Sequence, residues 1–305
     1  MDGLLKWSLA QQGGNDEAKE RAGKPDPNAL AQLLGMGHFK DDPSLMKESA
    51  EVLNNKESTK DQLKIAFGNM ELLIENLDNA NNLKNMDLWP AVLQHLNNED
   101  PDIQALACSC IGSAVQNNPR SQNDFLDQCK SSNSEWFDTI LKHALDTDPD
   151  HNQLKMKALY ALSSITRHNA TAYKLFEVLD GWKVVSAVLN DAEASSKLKL
   201  RALSLLTSLL SEEEEDADLS SEQGREKIRR IQEDKVVDSM IKTLDSDGDI
   251  NCNDRIIHLL AVLISHGYKF KGDEVSQISL KLKQLEPIKD RLNEDDLKTL
   301  KSVLS

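Results

Sequence analysis

The chain has 305 residues, aromatics make up only 4% of them, and 36 Lys+Arg stand against 51 Asp+Glu for a net charge of −15. A field of that sign repels phosphate backbones and anionic lipid, which argues against nucleic-acid and membrane-surface partners. No apolar run reaches bilayer-spanning length. The apolar cluster near the N-terminus holds Lys6 and Trp7 without a cleavage signature, so no secretory signal is read there. Leu and Ala abound and period-2 alternation is nearly absent, so the chain reads as all-α.

Residues 1–43 hold Gly13-Gly14, Pro25-Asp26-Pro27, Gly35-Met36-Gly37 and Pro43, a density of breakers that marks a flexible N-terminal arm. Within it, Leu4-Leu5-Lys6-Trp7-Ser8-Leu9 is an apolar stretch with a single cation. It is expected either to dock on the rest of the chain as a small helix or to be presented to a peptide-binding partner. Asp42-Pro43 starts a helix, and periodic sequence then runs almost to the end.

One pattern recurs along residues 44–305. Ala107-Cys108-Ser109-Cys110-Ile111-Gly112-Ser113-Ala114 is followed by Ala158-Leu159-Tyr160-Ala161-Leu162-Ser163-Ser164-Ile165 and by Ala202-Leu203-Ser204-Leu205-Leu206-Thr207-Ser208-Leu209. A weaker copy begins at Ala66, and a diverged last one is aligned from Arg255 as Arg255-Ile256-Ile257-His258. The spacings of 41, 51 and 44 residues from Ala66 through Ala202 fall in the range of helical repeats, whose units need their neighbours to bury an apolar face.

Upstream of each copy the segments 88–96, 136–145, 181–189 and 236–244 place apolar residues at helical spacing, each predicting a short amphipathic helix. Asp-rich turns such as Asn97 to Pro101, Asp146 to Asp150 and Asp245 to Asp249 are expected to cap the helices that follow. This is the armadillo-type unit, with HEAT repeats as the close competitor, and the chain holds about four of them. The acidic run Glu212 to Asp218, continuing through Glu222, reads as a solvated insertion in the fourth unit. Two helical segments after residue 272, ending in Leu285 to Glu294, supply a C-terminal cap.

Motifs for catalysis, phosphate binding or metal ligation are nearly absent. Asp245-Ser246-Asp247-Gly248-Asp249 departs from a calcium loop, because Ile250 and Ile256 stand where that loop needs Gly and Glu. Cys108 and Cys110 point to different faces of one predicted helix, and with Cys129 and Cys252 they read as small buried residues in a reducing compartment. His258 and His266 are expected to serve packing or helix ends, and the sequon at Asn169 reads as accidental. No cofactor is expected, and the chain reads as a binding scaffold.

Armadillo proteins that grip extended peptides, importin-α and β-catenin relatives among them, carry ladders of Asn on the long third helix, with Trp in the importins. Here Ser113, Ser164 and Ser208 stand at the Asn position, and Ser109, Tyr160 and Ser204 at the Trp position. The amide clamps are missing, which disfavours nuclear-import cargo. Lys155-Met156-Lys157 and Lys197-Leu198-Lys199-Leu200-Arg201 lead two of these helices; they form either a local positive strip on one rim or ordinary exposed charges. On these grounds one reading is a passive adaptor for a peptide or a basic partner.

Leu4-Leu5-Lys6-Trp7-Ser8, Arg21-Ala22-Gly23-Lys24-Pro25-Asp26-Pro27, Asp42 to Ser49, Glu75-Asn76-Leu77-Asp78-Asn79-Ala80-Asn81-Asn82, Val115 to Asn118 and Asp290 to Asp296 carry a more specific resemblance. With them the chain resembles, over nearly its whole length, the armadillo-repeat nucleotide exchange factors of heat-shock-70 chaperones, the Fes type of fungi, related to the animal heat-shock-70-binding protein. The resemblance implies a monomeric, cytosolic co-chaperone, not an enzyme, whose repeats embrace the chaperone's nucleotide-binding domain and speed the release of ADP and substrate. It implies that Ala80 and Arg201 match positions needed for chaperone binding, with Asn79 and Asn81 beside the first. A small residue at Ala80 suits close approach of partner surfaces. It further implies that Leu4, Leu5 and Trp7 of the arm mimic substrate in the chaperone's peptide-binding domain.

Overall fold

A computed structural model of the protein describes residues 40–131, 135–211 and 222–304. Leu4, Leu5 and Trp7, the rest of the arm to residue 39, and the acidic run from Glu212 to Ser221 lie outside the described residues. From Met46 onward the described residues form one compact unit. Described residues form α-helices and short 3-10 turns, with no strand among them.

Helices α1 (Asp42–Asn54) and α2 (Lys60–Ile74) precede four sets of three. The sets are α3 (Leu77–Asn85), α4 (Trp89–Leu93) and α5 (Pro101–Val115); α6 (Pro119–Ser131), α7 (Glu135–Ala144) and α8 (Asn152–Thr166); α9 (Ala170–Val178), α10 (Lys183–Asn190) and α11 (Ser196–Leu210); and α12 (Glu222–Glu233), α13 (Val236–Thr243) and α14 (Ile250–Ser265). Helices α15 (Gly272–Leu285) and α16 (Glu294–Lys301) close the stack with Leu282, Leu285, Leu297 and Leu300 turned inward.

Two of the three polar turns cap the long helix after them. The Asp146–Asp150 turn does not, since Asp148 accepts from the Asp150 N–H and caps only a 3-10 turn, and α8 begins after His151 with no side-chain cap. Asp100, Ser195 and Asp249 each accept a backbone N–H in the first turn of α5, α11 and α14. Thr59 and Gln62 form a reciprocal capping box on α2. The Asp245 turn is stitched by Asn253, whose amide donates to the Asp245 carbonyl at 2.6 Å, so its residues serve as turn and cap. Asn169 caps α9 by accepting from the Ala172 N–H. Left-handed residues recur at equivalent corners: Asp87, Asp180 and Lys235 between first and second helices, and Asn117, His168 and Gly267 after third helices. Each reverses the chain within two residues of a helix end.

The long third helices pack each against the next in the order α2, α5, α8, α11, α14. Ala66, Ala107, Ala158 and Ala202 are the seventh residues of the first four, and all are buried. In α14 the seventh residue is Ile256, also buried, which corrects the sequence alignment by one position. Arg255 is therefore the counterpart of Arg201, not of Ala202. All four cysteines are free and buried, and burial pushes the Cys129 thiol up to about 12.

Second helices are joined by side chains that donate to a carbonyl of the preceding unit. His95 Nε2 meets the Leu53 carbonyl at 2.8 Å, His143 Nε2 meets that of Leu96 at 2.8 Å, and Thr243 Oγ1 meets that of Leu189 at 3.2 Å. Lys281 Nζ extends the series to Leu244. His95 Nδ1 also receives the Asn98 amide at 3.3 Å, so the neutral tautomer protonated at Nε2 satisfies both contacts.

Desolvation holds both imidazoles below the ordinary histidine range, against the opposing pull of their carbonyl bonds. As pH falls through about 6.5, the unfolded chain takes up protons that these folded histidines refuse, so stability is lost on acidification. His151, raised by hydrogen bonding to Asp146, contributes with the opposite sign and loses its share as pH rises. Melting curves between pH 7.5 and 5.5 should show a fall in Tm that is smaller in the His95→Gln, His143→Gln double variant, since glutamine keeps an N–H donor and does not titrate.

Candidate functional site

Tyr160 is the centre of the face formed by the third helices. It lies on α8 over Gly112 of α5, where a Cβ would stand 2.6 Å from its ring, so only glycine admits the aromatic at this distance. Its hydroxyl donates to Gln116 Oε1 at 2.9 Å. Arg201 of α11 places its guanidinium carbon 5.4 Å from the ring centroid, and Lys157 Nζ lies at 6.0 Å. The ring thus carries a cation from its own helix and one from the next.

Lys157 is also the end of a polar chain. Its Nζ donates to Ser109 Oγ at 2.8 Å, and Ser109 donates to Glu71 Oε1 at 2.5 Å. Ser113 donates to the same carboxylate oxygen at 3.1 Å. Three repeats are thereby tied across α2, α5 and α8 by one charge-assisted network.

Two adjoining grooves of about 390 and 610 Å³ share Gln116, Asn117, Tyr160 and Arg201. The smaller extends to Arg167 and Arg255, and the larger to Glu71 and Leu77. Ser163, Ser204, Thr207 and Ser208 all donate to carbonyls of their own helices. Of the serines at the Asn position, Ser113 donates to Glu71 and Ser208 to the Ser204 carbonyl, so neither hydroxyl is a free donor for a peptide backbone.

The sequence-predicted residues fall into two places. Arg201 is exposed in both grooves. Asn79, Ala80 and Asn81 lie on α3, which Asn76 caps by accepting from the Asp78 N–H. Ala80 is 2% exposed and packs inward, so it does not itself offer a surface for close approach as expected. Asn79 is buried and donates to the Leu73 carbonyl at 3.0 Å, fixing the α2–α3 corner. Asn81 Oδ1 is buried and accepts no hydrogen bond among the described residues. Lys84 at the end of α3 is held by Asp124 at 2.8 Å and Asp127 at 3.0 Å, which raises its pKa.

The grooves join Arg201 to Leu77 in the first turn of α3, 57% exposed, and not to the Asn79–Asn81 run. Lys155 is a second correction: it is 5% exposed and turned away from the cationic strip. Sequence reasoning missed Arg167 and Arg255. The one-residue slip in the last repeat hid Arg255, and counting each helix from its N-cap residue would have found it.

Two family models cover most of the chain: "Nucleotide exchange factor Fes1" matches residues 1–83, and "SIL1/FES1/HPBP1 C-terminal domain" matches residues 79–267. A Saccharomyces cerevisiae protein named Hsp70 nucleotide exchange factor FES1 is 40% identical over 308 residues, covering 100% of both chains. Proteins of the same name from Debaryomyces hansenii and Kluyveromyces lactis are 39% identical with 100% of both chains covered and 38% identical with 99% of both covered. Among solved structures, a designed armadillo repeat protein in complex with a (KR)4 peptide superposes with a TM-score of 0.63 at 13% identity, over 85% of this chain and 98% of that one. Computationally designed armadillo repeat proteins for modular peptide recognition give 0.62, at 13% identity and the same coverage. These two likenesses are of fold, which is the armadillo stack of short and long helices built above. By its length, its motifs and its close relatives, the chain belongs to the Fes1 family of Hsp70 nucleotide exchange factors.

Proposed function

We propose that this protein is a co-chaperone that binds the nucleotide-binding domain of an Hsp70 chaperone and accelerates the release of ADP. The observation that carries this reading is the full-length match, at 40% identity, to a protein of that name. No bond is made or broken by such a factor. If the repeats bind the opened or nucleotide-free arrangement of the chaperone more tightly than the closed ADP state, linkage requires ADP affinity to fall by the same factor. A tenfold effect needs only about 1.4 kcal/mol of differential binding.

Within that reading, Arg201 touches the chaperone directly, whereas Ala80 acts by seating α3 against the core. Asn79 and Asn81 act in the same way, holding the corner from which Leu77 projects. The N-terminal arm, residues 1–43, offers Leu4, Leu5 and Trp7 to the chaperone's peptide-binding domain and so helps expel bound polypeptide. The factor works as a monomer in the cytosol. No helix among the described residues is long and apolar enough to cross a membrane. A passive adaptor for a basic partner is the weaker reading, because the grooves on the third helices present Arg167, Arg201 and Arg255.

Stopped-flow release of labelled ADP from an Hsp70 nucleotide-binding domain tests the reading, and an unchanged rate on adding this protein would end it. Arg201→Ala should lose most of the acceleration with an unaltered melting curve, because the side chain is exposed and its ring contact contributes only about 0.5–1 kcal/mol. Ala80→Arg should lose exchange and melt earlier, since an unpaired buried charge costs about 3–5 kcal/mol. Deleting residues 1–43 should leave ADP release intact and slow the displacement of a labelled peptide from full-length chaperone.

A further inference from the structure

Three successive third helices carry a cation at the same position. Counted from the first residue of each helix, Lys157 of α8, Arg201 of α11 and Arg255 of α14 are all sixth. Helices in van der Waals contact lie about 8–10 Å apart, so equal register on packed helices sets these side chains in a row about 20 Å long. The grooves agree: Lys157 and Arg201 line one, Arg201 and Arg255 the other. Arg167, at the C-terminal cap of α8, joins the second groove, its own carbonyl held by Gln122 Nε2 at 3.0 Å.

Several cations elsewhere on the chain are neutralised in place. Lys60, Lys84, Arg229 and Arg230 are each held by at least two carboxylates. No carboxylate among the described residues pairs with Arg167, Arg201 or Arg255, on a chain whose net charge is −15. Three guanidinium groups that no described carboxylate pairs with repel one another in one groove, and anions supplied by a partner relieve that repulsion.

We propose that Lys157, Arg167, Arg201 and Arg255 form a row that receives side-chain carboxylates spaced along an acidic surface of the chaperone's nucleotide-binding domain. Tyr160 is the positioning residue that orients Lys157 and Arg201 within it. The inference rests on the exchange-factor reading and adds three cations and the chemistry of the surface they meet. Carboxylates suit the row better than phosphate, because it extends over three repeats where a phosphate would gather its donors at one point. The hydroxyls of Ser163, Ser204 and Ser208 are committed to their own helices and are not offered to a phosphate.

The test measures affinity of the full chain for an Hsp70 nucleotide-binding domain at 50 and 250 mM salt, beside ADP release as a function of factor concentration. Arg167→Gln and Arg255→Gln should each raise Kd about 5–10-fold and flatten its salt dependence. Arg167→Lys and Arg255→Lys should retain most of the affinity, and all four variants should melt like the parent. Tyr160→Phe should bind normally, while Tyr160→Ala should weaken binding about as much as Arg201→Ala. If the parent speeds ADP release but the glutamine variants keep its Kd and salt slope, the row is wrong and the exchange reading stands. If the parent has no effect on release, the exchange reading fails and takes the row with it. Saturable sub-millimolar binding of inorganic phosphate, lost in Arg167→Gln, would reassign the groove to phosphate and overturn the carboxylate assignment.

Discussion

Close approach of the long helices is the constraint on which everything else in the molecule rests. Each third helix presents Ala66, Ala107, Ala158 or Ala202 at its seventh position, and these small side chains let the next backbone come near. A larger residue at any of them would push two repeats apart and shift the register of all that follow, because each unit contacts only its neighbours. Gly112 is the extreme case. Its missing Cβ makes room for the Tyr160 ring, so one absent methyl group both closes the stack and exposes an aromatic plate to the groove.

That packing constraint turns a repeated sequence into a repeated surface. With the seventh residue fixed inward, the sixth is fixed at the rim, and its identity along the stack runs Ile65, Leu106, Lys157, Arg201, Arg255. One end of the series is apolar, with Ile65 64% exposed, and the other is cationic. A partner that matches both ends must be a folded surface of defined length, not a short uniform peptide. This suits a factor that acts by favouring one arrangement of another protein, since shape over a long contact discriminates between conformations better than any single anchor.

Much of this was legible before any coordinates. The short second helices announce themselves by apolar spacing, and the Asp-rich turns at Asp100 and Asp249 cap the helices after them, whereas the one before α8 caps only a 3-10 turn. The first helices of the sets were not legible: α6 buries Ser121, Gln122 and Asp124 beside Phe125, so no shared apolar motif marks the class. The fate of Ala80 was hidden for a different reason. Small size fits a buried alanine and one under a partner equally well, and only the placement of α3 separates them. Lys155 and Lys157 differ by two residues and so by about 200° around a helix, which sends one inward and the other to Ser109. In the last repeat the slip came from composition, since Ile256 holds a place that alanine holds elsewhere and nothing local marks the exchange.

Acidity of the whole chain and a preference for an acidic partner are compatible once distance is considered. At physiological ionic strength the Debye length is about 8 Å, so charges on the far side of a repeat are screened at the contact. In the contact we propose, Arg201 and its neighbours act within a few ångströms, inside a groove whose walls exclude part of the solvent, where attraction is strongest. The long-range field then slows encounter with acidic bodies in general, while the local row rewards only those whose carboxylates match its spacing. Global repulsion with local attraction is a route to specificity, because a partner must satisfy the contact geometry before the sign of the interaction turns favourable.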